Sequence, residues 1–80
     1  MKEVYCVEKV GRGLEGGYHD DVAQAVAELE NAVSDLLSQG WYQIHHEGEG
    51  RHLFVVLAKD GDNGKMLRGY QIKSVSYVEG

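Results

Sequence analysis

The sequence predicts an α+β fold in a single domain, residues 1–80, with one helix packed on one face of a mixed four-stranded sheet in the order β-α-β-β-β. Three observations lead there. Asp21 to Gln39 carries Val22, Val26, Leu29, Val33 and Leu36 at alternating spacings of four and three, the stripe of an amphipathic helix. Four other segments are short, apolar or alternating, and bounded by glycine rather than by proline, which is absent. At 80 residues the chain can build one layer of core and no second domain.

The elements follow in order. Glu3 to Val10 reads as a strand apolar on both faces near its middle, with Val4 and Cys6 on one side and Tyr5 and Val7 on the other. Gly11 to Asp20 reads as a glycine-rich loop. The helix then starts at Asp20 or Asp21, whose carboxylate suits the free amides of the first turn, with Gln24 as the capping-box partner of Asp21. Gly40 stops it where a left-handed residue is wanted.

Trp41 to His46 and His52 to Lys59 read as a hairpin joined by Glu47-Gly48-Glu49-Gly50. In that register Ile44 faces Leu53, Tyr42 faces Val55 and His45 faces His52. Asp60 to Gly64 is a turn, and Met66 to Val78 a long strand whose alternation changes phase near Lys73-Ser74, as at a bulge. The helix serves as a crossover, so the strands flanking it are expected to be parallel neighbours.

The stretch Leu29 to Lys59, with Gly40-Trp41 ending a helix and Leu57-Ala58-Lys59 ending an apolar strand, resembles small bacterial and phage domains of unknown function. The resemblance covers less than half of the chain, and Gln43 stands where those domains often carry an apolar residue. It implies a fold, with the tryptophan wedged between helix and sheet, and no activity.

Composition excludes several classes. Thirteen acids against eight bases leave a net charge of −5, which argues against direct binding of nucleic acid or of an anionic membrane. No apolar run approaches membrane-spanning length and Met1 opens no charged-then-apolar leader, so the expected location is cytoplasmic. A single cysteine, Cys6, permits neither an internal disulfide nor a thiolate metal cluster within one chain. Cys6 lies mid-strand, where a thiol is inert packing, and no Ser-His-Asp or two-carboxylate arrangement is visible. The expectation is a non-enzyme with no cofactor.

Three features can still carry function. Gly11-Arg12-Gly13-Leu14-Glu15-Gly16 is a literal GxGxxG between a strand and a helix, the setting in which glycines let a phosphate approach helix amides. It makes Arg12, Gly13, Gly16 and Gly17 candidate ligand-binding residues. Against that, Asp20 and Asp21 would repel a phosphate, and a plain structural loop explains the glycines as well. His45 and His52 side by side would offer two metal ligands, with Glu47, His19 or a second subunit as the third; a solvated, pH-sensitive hairpin tip is the plainer account of them. No HxH or HExxH spacing is present, so no metal is assigned.

The third feature is charge placement. Residues 1–50 hold ten acids and three bases, whereas residues 51–80 hold three acids and five bases. Asp21, Glu28 and Asp35, seven apart, form a line down one flank of the helix with about 10 Å between neighbours. No lysine or arginine interrupts them, so the flank forgoes the Glu–Lys pairs that ordinarily help a helix. Acids can serve solubility alone. The functional reading is a docking surface for a protein partner with a basic surface.

These observations lead to a small acidic, non-enzymatic protein that acts by protein–protein contact. One form of that expectation is a phage-type inhibitor of a bacterial defence system, similar to anti-CRISPR proteins. The competing expectation is a small-ligand or nucleotide binder using the glycine-rich loop at clefts between subunits. The third strand is apolar on both faces, and one helix covers only one face of a sheet, so a homodimer or higher oligomer through the sheet is also expected.

Overall fold

The computed structural model describes residues 2–78. β1 (Lys2–Lys9) leads into a tight turn in which the Arg12 N–H donates to the Lys9 carbonyl at 2.8 Å. Gly11 takes the left-handed position of that turn at φ +80°. The chain returns as β2 (Gly13–His19) and enters α1 (Val22–Ser38). β3 (Tyr42–Glu47) follows, then a single 3-10 turn (Gly50–His52), β4 (Phe54–Gly61) and β5 (Gly64–Tyr77).

The fold is α+β, but it corrects the expected four-stranded mixed sheet. Five strands form one sheet in the order β2-β1-β5-β4-β3, and every pair is antiparallel. The added strand is β2, drawn from the stretch that reads as a loop. Its glycines hide it from any pattern of side chains, while its backbone pairs with β1 through a tight hairpin. The expected parallel neighbours are separated, because β1 and β3 lie two strands apart with β5 and β4 between them. The 14-residue length of β5 explains this. Its first half closes a hairpin with β4 and its second half pairs with β1 from Lys2↔Tyr77 to Lys9↔Tyr70. Three pairs of strands adjacent in the chain, β1–β2, β3–β4 and β4–β5, and one long central strand satisfy the ladder with no crossover pair.

The register of β3 is also corrected. Tyr42 pairs with Ala58, Gln43 with Leu57, His45 with Val56 and His46 with Val55, so Ile44 is an extra, bulged residue. The 3-10 turn takes His52 out of the ladder, which is why it does not lie opposite His45. No bulge occurs at Lys73-Ser74, since β5 pairs without a shift along its whole length. The change of phase there records a change of face: Ile72 pairs with Val7 under the helix, whereas Val75 pairs with Val4 on the other side.

The helix forms where its periodicity places it. Asp21 caps it, its carboxylate accepting from the Ala23 N–H at 3.0 Å. At the other end Gly40, at φ +94°, allows the Trp41 and Gly40 amides to reach back to the Leu36 and Leu37 carbonyls at 3.0 and 3.3 Å. This is the Schellman arrangement, and Trp41 and Leu36 are both buried beside it. Under the helix Ala25, Leu29 and Leu36 meet Val7 of β1, Val55 and Leu57 of β4, and Tyr70 and Ile72 of β5. Arg68 lays its guanidinium 4.9 Å from the centre of the Trp41 ring and closes that end of the core.

Candidate functional site

The helix has three working sides. Its core side is Ala25, Leu29 and Leu36; about 100° to one side run Asp21, Glu28 and Asp35, and on the opposite flank lie Val26, Glu30, Val33 and Leu37. The first flank faces β2, where the Glu28 carboxylate meets the His19 imidazole at 2.7 Å. The opposite flank looks across a gap toward β3, because the helix sits over the β1–β5 half of the sheet.

That gap is a cleft of about 470 Å³. Its walls are Val26, Leu29, Val33 and Leu37 of α1 on one side, Leu53 and Val55 on the other. Its rim carries Glu30, Glu49 and His46. The bulge at Ile44 is what arms this side of β3. By inserting one residue it turns both Gln43 and His46, the partners of Leu57 and Val55, toward the helix face, while Tyr42 and His45 point the other way. Polar residues at those positions leave nothing for a helix to bury, so the edge strand stays uncovered. The lining contains no lysine or arginine, and among the described residues neither Glu30 nor Glu49 forms an ion pair. An apolar floor under unpaired carboxylates suits an apolar group flanked by positive charge.

The residues singled out by sequence fall as follows. Of the acidic line, Asp21 is occupied as the helix cap and Glu28 is folded onto β2; Asp35 remains exposed. Glu28 is a tie between helix and hairpin, and its second oxygen, Oε1, is buried without a hydrogen-bond partner. Gly16 explains the glycine pair. At φ +82° it lies in an irregular stretch of β2, where Tyr5↔His19 and Val7↔Glu15 leave β2 two residues longer than β1. A Cβ added there would collide with the Glu28 carboxylate.

The remaining glycines are spent on the hairpin. Gly13 sits at φ +94° at the start of β2, Gly17 is exposed, and Arg12 is exposed at the turn. They are not gathered at the helix N-terminus, and a carboxylate rather than a vacant space lies over Gly16. His45 packs edge-on against Phe54, ring centres 5.7 Å apart, and its Nε2 meets Glu47 at 3.2 Å. His52 belongs to the 3-10 turn. Among the described residues no group of three or more His, Cys, Asp or Glu side chains is placed to hold a metal ion. Burial pushes the Cys6 thiol up, with the nearby Glu8 carboxylate adding to it, which disfavours thiolate chemistry.

Sequence reasoning sees Glu30 as one of the helix acids and His46 and Glu49 as members of the histidine hairpin, and does not bring the three together. The available signal was Leu37: placed beside Leu36, it widens the apolar stripe beyond what packing on the sheet requires, and it is 48% exposed. No described helix is long and apolar enough to cross a membrane. Comparison of the chain with protein-family models, with curated proteins and with solved structures finds no match.

Proposed function

We propose that this protein is a non-enzymatic binding protein that acts by protein–protein contact, and that the contact lies in the groove between α1 and β3. The observation that supports this is the groove itself, an apolar cleft rimmed by the unpaired carboxylates of Glu30 and Glu49 and lined by no lysine or arginine. The partner it suits presents an apolar side chain between lysines or arginines. Apolar burial supplies the affinity, and the rim charges supply orientation and encounter rate. The reading keeps the expectation of a basic protein partner and moves the contact from the Asp21–Glu28–Asp35 flank to the other side of the helix, where the acids have no intramolecular task.

Capture from a cell lysate, followed by reconstitution with the retained protein, tests it. Glu30→Lys combined with Glu49→Lys is expected to weaken that defined complex by roughly tenfold or more, through two reversed charges. Asp35→Lys is expected to leave it within about twofold, apart from a general salt-dependent term. A complex indifferent to the groove pair and lost with Asp35→Lys removes the groove from the reading.

A further inference from the structure

The face of the sheet turned away from the helix is covered by no other element and carries apolar side chains among paired polar ones. Residues paired across strands share a face, so the register assigns them. Val56 lies opposite Gly69, Ala58 opposite Leu67, and Leu14 opposite Glu8, none of them under α1. Val10 joins them, since its side chain and the Phe54 ring close over Gly69, where an added Cβ would meet both at 3.3–3.5 Å. Leu67 is 63% exposed and Leu14 and Val10 are 48% exposed, while Phe54 and Val56 are half-buried.

Among the described residues most charged groups on this face have a partner within the chain, and Glu47, beside a neutral His45, keeps one uncompensated charge. Glu8 accepts from Gln71 at 2.6 Å and from Lys73 at 3.3 Å, His45 meets Glu47, and Asp60 accepts from the Tyr42 hydroxyl at 3.0 Å with Lys65 over the same ring. The face is therefore close to neutral on a chain that carries −5.

We infer that this face binds a second copy of the chain, sheet against sheet, in a symmetric homodimer. Charge selects that occupant. A basic partner gains little from a face whose acids, Glu47 apart, already have a partner within the chain. A second copy at −5 is repelled by most of the surface and meets least repulsion where the charges cancel. Area allows it as well. The 43 strand residues of the sheet, at about 4.8 Å between strands and about 3.3 Å per residue, give a face of roughly 700 Å² in plane, and more in accessible surface once its side chains are counted. A standard interface needs about 800 Å² per partner. Two such faces pack about 10 Å apart and give each sheet the second layer that a single 17-residue helix cannot provide. The inference does not depend on the groove, which lies on the opposite face.

Sedimentation equilibrium of the full chain from about 10 to 500 μM decides it. The expected mass is twice the 8.9 kDa chain mass, with dimerisation unchanged or tighter in high salt because the facing surfaces are neutral. Leu67→Lys and Leu14→Lys place charges at exposed positions that the fold tolerates, and each is expected to raise the dimer dissociation constant at least tenfold while far-UV circular dichroism stays native. Leu37→Lys, an equally exposed leucine in the groove, is expected to leave that constant within about twofold. A monomer of 8.9 kDa throughout the range overturns the inference, as does a dimer that responds to Leu37→Lys and not to Leu67→Lys.

Discussion

Gly16→Ala offers the sharpest test of how the helix is tied to the β1–β2 hairpin, because Gly13→Ala provides an internal control. Both glycines have a left-handed backbone, φ +82° and +94°. Either substitution therefore costs about 1–2 kcal/mol of backbone strain. Space distinguishes them. A Cβ at Gly13 meets nothing within 4 Å, whereas at Gly16 it collides with the Glu28 carboxylate.

The carboxylate is the far end of a flexible side chain and can swing out, but doing so breaks its 2.7 Å contact with His19. That contact is about a quarter exposed and is worth about 1 kcal/mol. Rehydration of the orphaned Oε1 returns part of this. The extra cost of Gly16→Ala over Gly13→Ala is thus about 0.5–1 kcal/mol. Urea titrations at neutral pH, with both substitutions made in the wild type and in Glu28→Ala, measure it as a double-mutant cycle. In the Glu28→Ala background the two alanines should cost the same. Equal costs in the wild type, or an excess that persists without Glu28, refute the reasoning.

Two further outcomes follow from single contacts. Asp21→Ala removes the bond to the Ala23 amide and should lower stability by about 1 kcal/mol, seen as a lower urea midpoint with an unchanged slope. Glu8 is held below the ordinary glutamate value by its hydrogen bonds from Gln71 and then Lys73. A carboxylate whose folded pKa is depressed stabilises the fold above its unfolded pKa and loses that contribution as pH falls through the folded one. Glu8→Gln should therefore be less stable than the wild type at neutral pH. Its stability should fall less as pH drops through the ordinary glutamate range and below it, so that the two curves converge in acid; parallel curves would show that Glu8 gains nothing from its partners.

Much of this protein is determined by its sequence alone. The helix is legible from Val22 to Leu36 because a 3.6-residue period needs no tertiary information, and its ends are legible because Asp21 and Gly40 act on their own neighbours. β4 as a strand with two apolar faces is likewise a local fact. What the tertiary structure decided is pairing. β2 emerges only because its backbone finds β1, a bond that glycines make as well as any residue and that leaves no pattern to read. The central place of β5 depends on one 14-residue strand serving two partners, β4 beside it in the chain and β1 at the far end of it.

The site shows the same division. The acids of α1 are visible in sequence, but which of them are free depends on contacts across the fold: Glu28 is taken by His19, nine residues back, and Asp21 by the helix itself. His46 joins Glu30 at one rim only because a one-residue bulge at Ile44 rotates part of the edge strand, and Glu49 joins them from the N-cap of the 3-10 turn that follows. A bulge is a property of the register between two strands, so side-chain periodicity within either one does not contain it.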